Sequence, residues 1–206
     1  MTQHTFFVYG LQRSGTNFLT VLMRTNFGII LKNNDYNDRK NVTHKHFRIY
    51  DDKKFILVNQ YQNDIIIDDY EKLEKIIEEK NLKIFVIRKD IHAWLVSIER
   101  WAKKCNWEEK NKMKYIDDYL EFYKKWESFR SDNILFIDYI SLLKKDKETI
   151  SAIEKFTGKK YRGKNVKNKV KCSDVFDHGK MKYYLEKEYM KEFSKEELDI
   201  IKSKMR

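Results

Sequence analysis

The residues best suited to chemistry stand near the start of the chain, at Gly10-Leu11-Gln12-Arg13-Ser14-Gly15-Thr16-Asn17. Two glycines bracket a short polar turn that carries one cation, Arg13. An apolar run, Thr5 to Tyr9, leads into it. Behind it apolar residues recur at Phe18, Val21 and Leu22, which is helical spacing. A strand, a tight loop and a helix build a cradle for phosphate: successive backbone N–H groups point at an anion, and the helix dipole favours negative charge there. The nucleotide-triphosphate version of such a loop reads GxxxxGK followed by Ser or Thr. Gly10 and Gly15 keep that spacing, but Thr16 occupies the lysine position and Asn17 follows. A loop without that lysine is poorly equipped for a γ-phosphate with its Mg²⁺.

The segment Gln12 to Phe18 resembles the PKSGTTW or PRSGTTL loop of sulfotransferases that use 3′-phosphoadenosine-5′-phosphosulfate (PAPS). The resemblance implies that Arg13, Ser14, Gly15, Thr16 and Asn17 hold the 5′-phosphosulfate, that Arg13 acts on the transferring group, and that Phe18 stacks on adenine. Gln12 replaces the usual proline and Asn17 a threonine; the Asn17 amide still donates hydrogen bonds. A second segment, Lys83 to Trp101, has a strand-like run ending in Arg88-Lys89, then a helical pattern with Trp94, Ile98 and Trp101 on one face. It is similar to the family's RNPxDVxVS segment, whose first basic residue and last serine grip the 3′-phosphate. Ser97 matches the serine. The family's base-to-serine interval points to Lys89, whereas its usual arginine points to Arg88, and both are carried forward. A third segment, Ile134 to Gly158, resembles the family's late strand and the helix that ends in F-L-G.

Sulfuryl transfer requires an in-line leaving phosphate, stabilisation of the moving group and removal of the acceptor's proton. Arg13 and the loop amides answer the first two. For the third, Asn41 to Phe47 alternates like a strand and contains His44-Lys45-His46. Cytosolic sulfotransferases carry a K-x-H segment in this region whose histidine is the base, which implies His46 first and His44 second. Strand alternation puts the two histidines on one face and Lys45 on the other. Other members of the wider family use a glutamate. His92, close to the second motif, reads as a helix-start residue.

The elements that must position these residues form one α/β domain over 1–206, with a central, mainly parallel sheet flanked by helices. Strand-like runs at 5–9, 55–58, 83–87 and 134–138 alternate with helical patterns such as Tyr70-Leu73-Ile76-Ile77, Ile116-Tyr119-Leu120-Tyr123 and Ile150-Ile153. Ser194 and Glu197 read as a capping box for a last helix. Lys159 to Lys171 is basic, lacks helical periodicity and reads as a surface loop. With 43 Lys+Arg against 32 Asp+Glu the net charge is +11, which suits an anionic cofactor or acceptor and equally a nucleic acid. No recognised nucleic-acid motif accompanies the charge, so no nucleic-acid partner is expected. Cys105 and Cys172 lack ligand spacing and read as free thiols of a reducing compartment, hence a cytoplasmic protein. No run of apolar residues is long enough to span a membrane, and none resembles a secretory leader. Asn41-Val42-Thr43 is formally a glycosylation sequon, without consequence in that compartment.

Together these features imply transfer of a sulfuryl group from PAPS, leaving adenosine 3′,5′-bisphosphate. The acceptor would be a hydroxyl or amine on a small molecule or glycan, and no metal takes part. The alternatives are a nucleotide or small-molecule kinase, which needs the missing lysine and offers only Asp138 as a metal carboxylate, and a non-enzymatic nucleic-acid-binding module built on Lys159–Lys171 with Tyr161.

Overall fold

The computed structural model describes residues 4–33, 45–46, 48–49, 55–57, 65–67, 75, 78, 81–104, 106, 112–129, 131–164, 166 and 178–205, with 48–49, 55–57, 65–67 and 178–180 described by their backbone. Cys105, Cys172, the sequon at 41–43 and most of the helical pattern at 70–77 lie outside these residues.

Three strands make the sheet that matters for the site: β1 (Thr5–Tyr9), β5 (Leu82–Arg88) and β6 (Ile134–Asp138). They are all parallel, in the order β1-β5-β6, with Tyr9 opposite Val86 and Arg88 opposite Asp138. The central strand, β5, is apolar on both faces because helices cover both. Leu82, Ile84 and Val86 face a core with Trp94, Ile98, Tyr119, Tyr123 and Trp126, from α2 (Ile91–Lys104) and α3 (Lys112–Ser128). Phe85 and Ile87 face the opposite core, with Phe18 and Leu22 of α1 (Thr16–Leu22), Leu142 of α4 (Tyr139–Lys144) and Ile153 of α5 (Lys147–Thr157). Each face is thus closed by helices from different parts of the chain, which locks the strand register, since a one-residue slip would exchange the two faces.

Among the described residues the outer edge of β1 is closed without a further full strand. Leu31 bridges Phe6, Lys32 N donates to Phe6 O at 2.9 Å, and the buried Asn33 side chain binds Val8 at both ends: Val8 N donates to Oδ1 at 2.8 Å and Nδ2 donates to Val8 O at 2.7 Å. An amide side chain here substitutes for a neighbouring peptide and satisfies edge groups that would otherwise be buried unpaired.

The run at 55–58 does not join the parallel sheet. Strand β3 (Phe55–Leu57) pairs antiparallel with β2 (Arg48–Ile49) and β4 (Ile65–Ile67) in a separate small sheet. The connections 50–54 and 58–64 are too short for the crossover that parallel neighbours need, so the hairpin arrangement wins.

The remaining elements are α6 (His178–Leu185), a short 3₁₀ turn (Glu188–Glu192) and α7 (Lys195–Lys204). Ser194 and Glu197 form the expected capping box on α7. Of the basic segment after Gly158, residues 159–164 and 166 are described and are not helical. Buried Asn26 ties that segment down, accepting from Lys164 N at 2.7 Å and donating to Lys164 O at 3.1 Å. Among the described residues no helix is long and apolar enough to cross a membrane.

Candidate functional site

The loop after β1, the end of β5 and the start of α4 after β6 meet at the C-terminal edge of the sheet, where open α/β sheets place their ligands. The loop is tightly wound. Ser14 N donates to Leu11 O at 3.0 Å, Arg13 adopts φ 69° and Gly15 φ 107°. Space requires glycine at both brackets, and at Gly15 the positive φ requires it too. A Cβ at Gly10 would sit 2.8 Å from Ile87 Cγ2, and one at Gly15 would run into the Tyr139 ring. Trp94 Nε1 of α2 donates to Gln12 O at 2.8 Å and holds the loop's crown. No side chain caps the N-terminus of α1, and among the described residues the buried Ser14 hydroxyl makes no well-formed hydrogen bond. A cradle with a buried, unsatisfied hydroxyl is what an anion would complete.

Arg13, Lys89 and Ser97 come together beside this loop. The Arg13 Nε donates to Ser97 Oγ at 3.5 Å, and its guanidinium lies 4.7 Å over the Trp101 ring, so Ser97 and Trp101, one helical turn apart on α2, hold it jointly. Lys89 is buried at 3% exposure. Its Nζ lies 4.6 Å from the ring centres of both Tyr139 and Tyr184, and 3.4 Å from the Tyr184 hydroxyl. Burial and the neighbouring Arg13 push the Lys89 ammonium below its ordinary pKa, against the opposing pull of Tyr184. Among the described residues neither Arg13 nor Lys89 is paired with a carboxylate. Two cations held this close without countercharge, one of them dry, make a strong attractor for an anion.

Arg88 stands apart from this cluster. It points to the other face of β5, where NH1 pairs with Glu127 at 2.7 Å and Nε donates to the Tyr119 hydroxyl at 3.3 Å. Consecutive strand residues face opposite ways, so the two cations that spacing left undecided separate cleanly. Tyr119 and Tyr123 fix the strand end by donating to Lys89 O at 2.6 Å and Ile87 O at 2.8 Å.

Residues 45–46 form a turn, not a strand, and this overturns the expected facing of Lys45. Its backbone O accepts from Gly10 N at 3.0 Å, and its buried Nζ donates to Asn17 Oδ1 at 2.7 Å. Lys45 therefore meets the same loop as His46, where alternation put the two on opposite faces; burial pushes its ammonium down to about 8. His46 lies 2.8 Å through Nδ1 from Gly10 O. The carbonyl only accepts, so Nδ1 carries the proton, and a neutral ring keeps its basic lone pair on Nε2. His44 lies outside the described residues. Phe18, expected on an adenine, is packed into the core edge-on to Tyr139 at 6.1 Å, and Thr16 is likewise buried. His92 behaves as a helix-start residue: its N–H and that of Ala93 donate to the N-capping Asp90.

Lys45, Tyr139, Tyr184 and Trp101 are the site residues that sequence reasoning missed. Only Trp101 carried a local signal, its spacing from Trp94 and Ser97 on α2. The others arrive through long-range packing. Asp138, the kinase alternative's carboxylate, caps α4 by accepting from Ser141 N at 2.7 Å. Among the described residues no group of three His, Cys, Asp or Glu is arranged to hold a metal ion.

An open parallel sheet with a glycine-bracketed loop after its first strand, and cations gathered at its C-terminal edge, defines an α/β protein whose candidate site lies at that edge. The family model described as "Sulfotransferase domain" matches residues 3–205, and the chain belongs to the sulfotransferase family. Among solved structures, mouse sulfotransferase SULT7A1 complexed with PAP is similar at 14% identity, covering 94% of this chain and 68% of that chain with a TM-score of 0.43. No curated protein matches the sequence.

Proposed function

We propose that this sulfotransferase takes its sulfuryl group from PAPS and delivers it to a hydroxyl or amine of a small molecule or glycan, within one domain and in the cytoplasm. The observation that carries the reading is the buried Lys89 ammonium beside Arg13 and Ser97, with no carboxylate near either cation among the described residues. The chain's groups fit such a cofactor: among the described residues the buried Ser14 hydroxyl makes no well-formed hydrogen bond, and Gly10 and Gly15 keep the cradle open.

Lys89 and Ser97 hold the 3′-phosphate. Arg13 and the amides of Ser14, Gly15, Thr16 and Asn17 hold the 5′-phosphosulfate. When bound, the cofactor supplies an activated sulfuryl group on a phosphate leaving group. Arg13 stabilises the charge on that group without moving far, because Ser97 and Trp101 already orient it. Lys45, anchored on Asn17, adds a second positive charge on the loop's other side. His46, oriented through Nδ1 on Gly10 O, is the first choice for the group that takes the acceptor's proton; His44 is the second choice.

Calorimetry with Lys89→Met and Ser97→Ala tests this. Both substitutions should weaken adenosine 3′,5′-bisphosphate far more than adenosine 5′-phosphosulfate, which lacks the 3′-phosphate. Normal binding of both ligands by both variants would make the second motif purely structural.

A further inference from the structure

We propose that Tyr184, on α6, is a further ligand to the anion held by Lys89: its hydroxyl donates to the 3′-phosphate and so favours a 3′-phosphorylated nucleotide over one phosphorylated at 5′ alone. This rests on the assignment of Lys89 and Ser97 made above, and it adds a residue that belongs to none of the sequence motifs.

The geometry around Lys89 is one-sided. Its ammonium occupies a slot between two aromatic rings, with both ring centres at 4.6 Å. Ring faces attract a cation but supply no countercharge. The ammonium has three donors. Its hydrogen-bonded neighbour among the described residues is the Tyr184 hydroxyl, at a long 3.4 Å. That hydroxyl accepts from Lys89, so its own proton is available to another acceptor. Ser97 and Arg13 face the same phenol. Burial alone would raise the Tyr184 pKa, and the combined pull of Lys89, Ser97 and Arg13 outweighs it and draws the group below its ordinary value. An ammonium, a phenol and a serine hydroxyl thus converge with no carboxylate paired to them among the described residues, and donors of this kind bind phosphate oxygens most strongly when one of them is charged.

The phenol is also fixed in place. Tyr184 meets Tyr139 edge-on at 5.7 Å and Tyr189 at 6.3 Å. Its neighbour Tyr183 bonds Glu192, which pairs with Arg100 of α2 at 2.7 Å. The end of α6 is thereby tied to the helix that carries Ser97, so the two hydroxyls keep their relative positions before any ligand arrives. Pre-organised donors lose little on binding.

Tyr184→Phe keeps the ring packing and removes only the hydroxyl. Titrations of wild type, Tyr184→Phe and Lys89→Met with adenosine 3′,5′-bisphosphate and with adenosine 5′-phosphosulfate read the effect. In Tyr184→Phe, bisphosphate affinity should fall about tenfold to a hundredfold, the worth of one hydrogen bond to a charged group. Affinity for the 5′-phosphosulfate should not change, so the ratio of the two falls, which a general loosening of α6 would not produce. Unchanged or tighter bisphosphate binding in Tyr184→Phe, or an equal loss for both ligands, overturns the role of Tyr184 alone, provided Lys89→Met still loses the bisphosphate. If wild type and Lys89→Met bind the bisphosphate alike, or not at all, the assignment of Lys89 falls and the role of Tyr184 with it.

Discussion

Replacing Lys45 by Met should stabilise the ligand-free protein while crippling it as an enzyme. Lys45 is 1% exposed, and burial holds its ammonium at about 8 against an ordinary 10.5. That difference corresponds to roughly 3 kcal/mol of destabilisation of the charged form. The hydrogen bond to Asn17 Oδ1 offsets part of the gain, since its loss costs about 1 kcal/mol. The expected net gain at pH 7 is ~2 kcal/mol, or a rise in Tm of about 4–8 °C for a chain of this size. The sign of the pH dependence follows from the proton count. Between about 8 and 10.5 the unfolded chain keeps the proton that the folded chain has lost, so wild-type stability rises with pH across that window. Below about 8 both states are protonated and the full cost of burial remains. The advantage of Lys45→Met should therefore be constant below that point and shrink toward the top of the window. Thermal melts of both proteins at a series of pH values measure it. A variant less stable than wild type at pH 7, or a difference that ignores pH, would show that Lys45 is hydrated or otherwise compensated and is no buried cation of the loop.

Other substitutions separate the parts of the site. Arg13→Ala should abolish turnover, since Arg13 is the cation within the loop itself; wild-type turnover in an assay of sulfuryl transfer from PAPS would mean the loop is misassigned. His46→Ala should lower kcat by about 10²–10⁴-fold with cofactor affinity unchanged. The acidic limb of its pH–rate profile should vanish, and if only His44→Ala does this the choice between the two histidines is reversed. Arg88→Ala should leave bisphosphate affinity at the wild-type level while lowering Tm slightly through loss of the half-exposed pair with Glu127. A loss of bisphosphate affinity there would put Arg88, not Lys89, on the 3′-phosphate. Activity on a PAPS donor should persist in excess EDTA, because a sulfuryl group in transfer carries less negative charge than a phosphoryl group; strict dependence on Mg²⁺ would contradict this.

The loop was legible in the sequence because a local demand falls on one of its glycines, even though Ile87 also crowds Gly10 and Tyr139 crowds Gly15. Gly15 needs a positive φ, and an apolar strand before it and helical spacing behind it leave one local solution. The same holds for the α7 capping box, where Ser194 and Glu197 meet within a single turn. What failed was inference about pairing partners. His44-Lys45-His46 alternates as a strand does, yet 45–46 turn because Gly10 and Asn17, distant in sequence, capture the backbone and side chain of Lys45. The run at 55–58 says "strand" without saying beside what, and short connections sent it to the antiparallel sheet. Arg88 and Lys89 could not be told apart by counting to Ser97. In the structure the two side chains face opposite ways, with Arg88 on a carboxylate of α3 that no spacing rule reaches. Tyr139 and Tyr184 surround Lys89 only because β6 and α6 are brought to the same edge.

The most direct measurement is isothermal titration of the wild-type protein in EDTA with adenosine 3′,5′-bisphosphate, AMP and ATP, followed by the same titrations of Lys89→Met. Tight one-to-one binding of the bisphosphate is expected, much weaker binding of AMP and ATP, and collapse of that preference in Lys89→Met. Binding of ATP in preference to the bisphosphate, or a bisphosphate preference that survives the loss of Lys89, would contradict a 3′-phosphate site built on that buried ammonium.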